Sequence, residues 1–450
     1  MDANEPRPAR ETFSTLFGVV MTMIGAAVGL GAFWRFPYMA GRFGGSAFVL
    51  FYLLITFFIG IPALMAEWTL GRRTRRGTLG SFEKGGLPGG RWAGFFLFAV
   101  LIVACGYYAN VVGWVAFYAV GQMFQAFRLK FDAAAILPPQ EGLSITSFLL
   151  QLLMTAAVIF SCGIVIVRGL RKGIEKVSRW IVPLVFVFLV ILIARSVTLK
   201  GAGEGVRWFI LKFRWSALTP GVMAAALGMA FFCMSLGGTF MVMYGSYLDK
   251  RVGIPRNAVV TGLGASLAGI LAGLAIFPAV FSFGLEPGSG PGLIFMTLPK
   301  TFALMPLGWL FGILFFAGLF GIAYLSDVAA FEVLVGGIVD NTKIPRKRAT
   351  LIICGTVFFL SIPPMINNRI FIPWDLAFGS GMQALGSLLA VVTAVWFIKR
   401  SEALKELAAG SGKPFPRALY WWMRIAVPLA ILLVGINWLL ESVFKVRLTG

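Results

Sequence analysis

The chain has 450 residues, of which 59% are hydrophobic and only 13% charged, and its mean hydropathy is +0.88. A soluble domain could not cover so much apolar surface with so few charges, so hydrocarbon is the solvent that suits this composition. The net charge of +21 sits in short basic clusters rather than an aromatic-basic stripe, which argues against nucleic acid, and the absence of histidine argues against most hydrolase and metal-site chemistry.

Intervals free of ionisable side chains mark the membrane spans in chain order. They run between Glu11 and Arg35, Arg42 and Glu67, Arg91 and Arg128, Glu141 and Arg168, and Arg179 and Arg195. The second half continues with Arg214 to Asp249, Arg256 to Glu286, Lys300 to Asp327, Arg348 to Arg369, Asp375 to Lys399, and Arg424 to Glu441. Each can hold a helix near the roughly 20 residues that a bilayer requires, which predicts about 11 spans. The first is too long and too glycine-rich to read as a signal peptide. Cys105, Cys162, Cys233 and Cys354 all fall inside apolar stretches and read as small buried hydrophobes.

Lysine and arginine in the loops set the orientation. With the N-terminus inside, the inner segments hold most of the 39 basic residues, in runs such as GRRTRRGTLGSFEKGGLPGGR, VRGLRKGIEKVSR and KIPRKR. That places the N-terminus in the cytoplasm, the C-terminus outside, and the chain as a multi-pass protein of the cell's inner (plasma) membrane.

Two spans are interrupted. The first reads MIGAAVGLGAFWRFP and the sixth ALGMAFFCMSLGGTFMVMYGSY. Glycine costs about 1 kcal/mol in a helix interior, so Gly25, Gly29 and Gly31, and then Gly237 and Gly238, argue against continuous helices. Unwound backbone survives at membrane depth only where it lines a cavity or is buried in protein. Breaks five spans apart are the pattern of inverted five-helix repeats with a midplane site between them. Taken alone, Gly25 and Gly29 would read as a GxxxG packing face; the matched second break favours the repeat.

At these residues the sequence resembles the neurotransmitter:sodium symporter family, in its bacterial amino-acid-transporting branch. The resemblance is carried by Gly25-Ala26-Ala27-Val28-Gly29-Leu30-Gly31-Ala32-Phe33-Trp34-Arg35-Phe36-Pro37-Tyr38, by Gly44-Gly45-Ser46-Ala47-Phe48, by Gly60-Ile61-Pro62 and by Glu67-Trp68. Tyr107-Tyr108, Ser235-Leu236-Gly237, the Ala272 to Pro278 run and the Glu332 segment extend it, from about residue 10 to 400. It implies an all-α polytopic protein of the LeuT-type 5+5 inverted-repeat fold, forming a single transporter domain. Repeat one would span about 10–200, repeat two about 215–400, and an extra helix about 417–443.

The resemblance implies a substrate site at Ala27, Gly29, Gly31, Ala104, Tyr108, Phe232, Ser235, Gly238, Asp327 and Ala330. Exposed amides at the first break suit a carboxylate, Tyr108 would donate its hydroxyl to it, and Phe232 would lie across as a lid. Arg35 and Asp375, with Phe232, match the family's extracellular gate; Arg10, Phe13 and Asp340 match its cytoplasmic latch. Glu67 and Glu332 match acids that brace unwound backbone. The partners implied are a small amino acid or amine and the lipid bilayer, with no organic cofactor; oligomeric state is not legible in the sequence.

Sodium is where the chain departs from the family. A hard cation requires several oxygens, yet at the first site Ala32 replaces an asparagine, Cys233 a threonine, and Gly264 and Ala265 stand near the usual asparagine or aspartate. The second site keeps Gly25, Val28, Ile322 and Ser326, with Leu325 in place of a threonine or aspartate. Asp327 is an acid at a position that the family points into the substrate's side-chain pocket. It can pair with a cationic substrate, carry a coupling proton, rescue a shifted sodium site, or form an internal bridge with no transport role. Ala104, Gly238 and Ala330 are small where family carriers of small aliphatic amino acids are bulky, which predicts a larger substrate. The expected function is therefore secondary active amino-acid transport by alternating access. Proton-coupled or uncoupled exchange is the alternative, and a non-transporting sensor of the same fold is the competing class. The chain is not expected to be an enzyme.

Overall fold

The computed structural model describes residues 10–440 apart from 128, 214, 218 and 288–292. Its frame is a bundle of apolar helices: α1 (Leu16–Ala27), α2 (Gly31–Arg42), α3 (Ser46–Thr74), α4 (Gly90–Ala126), α5 (Ile145–Val167) and α6 (Leu170–Val197). There follow α7 (Pro220–Cys233), α8 (Phe240–Gly245), α9 (Ile254–Ser282), α10 (Leu293–Leu304), α11 (Gly308–Asn341), α12 (Arg346–Met365), α13 (Asn368–Phe397), α14 (Arg400–Ala408) and α15 (Arg417–Asn437). Nine of these are long and apolar enough to cross a bilayer among the described residues. The bent pair α1/α2 makes ten, and the shorter apolar α7, followed by its break and α8, is consistent with the expected total of about 11.

Charge-free intervals located the spans better than their ends. The fifth expected span opened at Arg179, whereas α6 begins at Leu170 and takes in Arg171, Lys172 and Lys176. Long basic side chains reach water from a helix that runs past the hydrocarbon. Asp327 and Glu332 likewise lie within α11 and Glu67 within α3, because an acid enclosed by other helices does not end a span. At the C-terminus α15 covers most of the expected 417–443 helix; residues 441–443 lie outside the described residues.

Both breaks have local causes. The Thr15 hydroxyl accepts from Gly18 N at 2.9 Å and starts α1. The chain leaves the helix at Val28 and resumes at Gly31, with α1 and α2 bent by 56°. Thr219 caps α7 through Val222 N, and Pro220 takes the first helical position. After Cys233 the backbone enters the left-handed region at Ser235 (φ 49°), Gly237 (φ 85°) and Thr239 (φ 59°), which no α-helix accommodates. Around the breaks, α11 packs most extensively against α4, while α9 lies against α6, α1 and α2. α10 is too short to cross and places Phe295 edge-on against Trp34 and Trp114.

Candidate functional site

The two breaks are tied to each other. The Ser235 hydroxyl donates to the carbonyls of Ala26 (2.9 Å) and Ala27 (3.3 Å) at the end of α1. Glu67, fully buried on α3, accepts from Gly237 N at 3.0 Å through one carboxylate oxygen; the other has no hydrogen-bond partner. Side chains thus replace some of the hydrogen bonds that each helix loses by unwinding, where water cannot. Next to this junction Leu30 N donates to the Tyr108 hydroxyl oxygen at 3.3 Å. A Cβ on Gly29 would fall 2.7 Å from Ser326 Oγ and 3.2 Å from the Tyr108 oxygen, and a Cβ on Gly31 would fall 2.5 Å from the Phe232 ring. Both glycines are therefore required by close approach.

Gly29, Ala104, Tyr108, Phe232, Ser235 and Gly238 are only half-buried, whereas Ala27, Gly31, Asp327 and Ala330 are sealed. The space expected at Gly238 is taken by Phe240, whose ring lies 2.3 Å from where a Cβ would stand. The small residue there makes room for a neighbour rather than for a ligand.

Above the junction opens a cavity of about 450 Å³. Leu30, Tyr108 and Phe232 line it, Trp34, Trp114 and Phe371 give it aromatic walls, and Arg35 and Asp375 both face it. The Arg35 guanidinium stacks on the Phe232 ring at 4.7 Å, and the Tyr107 hydroxyl donates to Asp375. At the rim, Arg369 and Glu141 form an ion pair at 2.5 Å with 72% and 64% of their side chains exposed, and Asn368 N donates to the Pro139 carbonyl at 2.8 Å.

The opposite end is closed. Arg10 pairs with Asp340 at 2.6 Å, the two side chains 14% and 15% exposed, and its guanidinium lies 4.6 Å from the Tyr247 ring centroid. Burial pulls the Arg10 pKa down, but Tyr247 and Asp340 outweigh it and hold it above the ordinary value, so the guanidinium stays charged at physiological pH. Phe13 stacks on Tyr244 and meets Tyr247 edge-on. Asp340 also accepts from Gly77 N at 2.9 Å, and Glu332 takes bonds from Tyr247 and Arg346. Glu175 accepts from Ser14 N and the Ser14 hydroxyl, and Glu11 accepts from Leu170 N and Arg171 N. Tyr247, Glu175, Glu11 and Arg346 were not singled out from the sequence. The available signal was an acid within or beside a basic loop segment, where a carboxylate has cations and free amides to meet.

The residues expected at the two ion positions have the following surroundings. Ala32, Cys233 and Ala265 are buried and supply no side-chain oxygen, and a Cβ on Gly264 would press on Ile24. At the second site a Cβ on Gly25 would stand 2.9 Å from Leu325 Cδ1, so a methyl group faces the α1 break there. Ser326 Oγ is buried beside Gly29 without a hydrogen-bond partner. That oxygen and the carbonyls freed at Val28 fit a hard cation; the Leu325 side chain does not.

Asp327 differs from its expectation. It is 0% exposed and does not line the cavity; Cys105 Sγ lies 3.6 Å from one carboxylate oxygen and Cys162 Sγ 3.8 Å from the other. The carboxylate meets side chains of α4 and α5, and no lysine or arginine lies within ion-pairing distance of it among the described residues.

Comparison with known proteins extends the geometry to nearly the whole chain. Residues 10–133 and 140–446 match the model of the Sodium:neurotransmitter symporter family. An uncharacterised sodium-dependent transporter of Bacillus subtilis is 34% identical over 96% of this chain and 98% of its own length. The sodium-dependent serotonin transporter of Drosophila melanogaster is 26% identical over 92% and 73%. Among solved structures, MhsT in complex with L-phenylalanine superposes with a TM-score of 0.82 at 34% identity, covering 95% of this chain and 100% of that one.

Proposed function

This chain belongs to the sodium:neurotransmitter symporter family, and from that premise we propose that it is a secondary active transporter of amino acids with large neutral side chains. The observation that carries the reading is the pair of tied helix breaks at the floor of a cavity open at one end and latched at the other. An amino-acid carboxylate takes the space beside Gly29, accepting from Leu30 N and from the Tyr108 hydroxyl, which lie 3.3 Å apart. Amides at the start of α2 give that position positive potential. Phe232, held by Arg35, closes over it, and Arg35 with Asp375 forms the outer gate. Breaking the Arg10–Asp340 latch then opens the other end, which is alternating access.

Large neutral substrates suit an aromatic-walled cavity and the half-buried Ala104 better than cationic ones, because Asp327 is buried against Cys105 and Cys162 and does not line the cavity. The neighbour MhsT was crystallised with L-phenylalanine, which supports the same class. We read the latch end as cytoplasmic, the N-terminus as inside and the C-terminus as outside, in the cell's inner membrane. Residues of about 10–200 and 215–400 are the two repeats.

Coupling follows from the oxygens that remain. Sodium enters the cycle through the second site alone, held by the α1-break carbonyls and the Ser326 hydroxyl, because the first site offers no side-chain oxygen. A second reading rests on Asp327: a buried carboxylate without a cation is a site for a coupling proton. Uptake of labelled amino acids by proteoliposomes, with sodium and pH gradients imposed separately, tests both. Phenylalanine accumulation driven by a sodium gradient with non-cooperative sodium dependence is expected. Accumulation driven only by a pH gradient would transfer the coupling to Asp327. Failure of either gradient to drive any amino acid would overturn the transport reading itself.

A further inference from the structure

At the latch end, α13 finishes at Phe397 beside the first turns of α15. Arg424 of α15 lies 4.4 Å from the ring centroid of Trp396 and 5.3 Å from that of Trp421. Arg400, at the start of α14, lies 5.4 Å from the same Trp421 ring and 5.8 Å from Tyr420. The Trp396 indole N–H donates to the Arg424 carbonyl at 2.9 Å, fixing the ring between the helices. Two guanidiniums therefore share one indole, and the site faces outward: Trp396 is 52% and Trp421 44% exposed.

Among the described residues, no carboxylate pairs with either guanidinium. The acids of α14 are engaged elsewhere, Glu402 with Arg73 and Glu406 with Arg72. An aromatic face satisfies one side of a guanidinium and leaves its N–H edge free for a bidentate anion. Bringing two like charges onto one ring costs free energy that a bridging anion would return. Depth selects the anion. Arg424 lies seven residues into α15, about 10 Å along the axis from Arg417, and its helix neighbours Ile425 and Leu429 are exposed apolar side chains. A lipid phosphate sits at that boundary, whereas a dissolved one does not.

We infer that Arg400 and Arg424, clamped by Trp396 and Trp421, form a binding site for the headgroup phosphate of an anionic phospholipid. Exposed Lys399 and Arg417 extend the basic surface around it.

Native mass spectrometry of the full-length protein, extracted from vesicles of phosphatidylglycerol and phosphatidylcholine, tests this. Arg400→Gln combined with Arg424→Gln is expected to lower retained phosphatidylglycerol roughly thirtyfold, from juxtamembrane charge contributions of ordinary size. The exposed pair Arg256→Gln and Arg348→Gln, at the same end, removes equal charge and is expected to change retention by less than about twofold. Equal retention in wild type and the Arg400/Arg424 variant, or equal loss in both variants, overturns the site. Displacement of phosphatidylglycerol by inorganic phosphate at millimolar concentration overturns its assignment to lipid. Should the glutamine variant unfold in phosphatidylcholine alone, Arg400→Lys with Arg424→Lys keeps the charge and removes the forks. A several-fold loss is then expected, and retention at the wild-type level refutes the clamp.

Discussion

The two ends of this transporter handle charge by different physics. At the latch, Arg10 and Asp340 are largely shielded from water, an aromatic ring covers the cation, and backbone amides share the anion. At the vestibule rim, Arg369 and Glu141 approach equally closely but remain mostly in solvent. An exposed pair contributes little because water competes for both partners, whereas breaking a shielded one strands a charge. Distance alone does not distinguish a seal from a decoration; burial does. Between the ends, Ser235 bonds to the end of α1 and Glu67 to the break after α7.

Substitution at the site between the two ends is expected to have the largest effect. Gly29→Val puts a branched side chain where a Cβ already meets Ser326 and Tyr108, and equilibrium binding of labelled phenylalanine should weaken roughly 100-fold. Unaltered binding would place the substrate elsewhere. Arg10→Ala should shift the protein toward the state open at the latch end by about 2 kcal/mol, roughly thirtyfold. Thiol labelling of a cysteine introduced behind the latch reads this shift, and unchanged labelling would mean that the latch does not seal. Asp327→Asn keeps shape without ionisation. If the acid carries a coupling proton, pH-driven uptake should fall about tenfold; if sodium alone drives transport, sodium-driven uptake should change by less than about threefold. Leu325→Thr adds a hydroxyl to the second ion position and should raise apparent sodium affinity roughly fivefold, read from the sodium dependence of uptake. Glu141→Gln, at the rim, should alter uptake by less than about threefold. An effect as large as that of Arg10→Ala would erase the contrast between the two ends.

Much of this arrangement was legible in the sequence. Charge-free intervals gave the spans, glycine runs gave both breaks, and Arg10 with Asp340 came together across 330 residues as the family pattern implied. The loss of side-chain oxygens at Ala32 and Cys233 follows from residue identity alone. What was not legible concerned direction and neighbours. Asp327 occupies a position expected to face the substrate, yet its carboxylate turns toward Cys105 and Cys162. Gly238 promised volume that Phe240 occupies. Tyr247 gave no periodic or charge signal, although it covers Arg10 and donates to Glu332.

Sequence by itself therefore determined the solvent, the rough placing of the spans, the two places where the backbone unwinds and which side chains own an oxygen. Each of these depends on local composition: how much apolar surface a segment carries, whether glycine can hold a helix, whether a side chain owns an oxygen. Only the tertiary structure decided which way the buried acid points, what fills the space beside a small residue, and which of two equally short ion pairs is shielded. Those outcomes depend on side chains contributed by helices hundreds of residues apart, and their free energies are set by burial, which no single segment encodes.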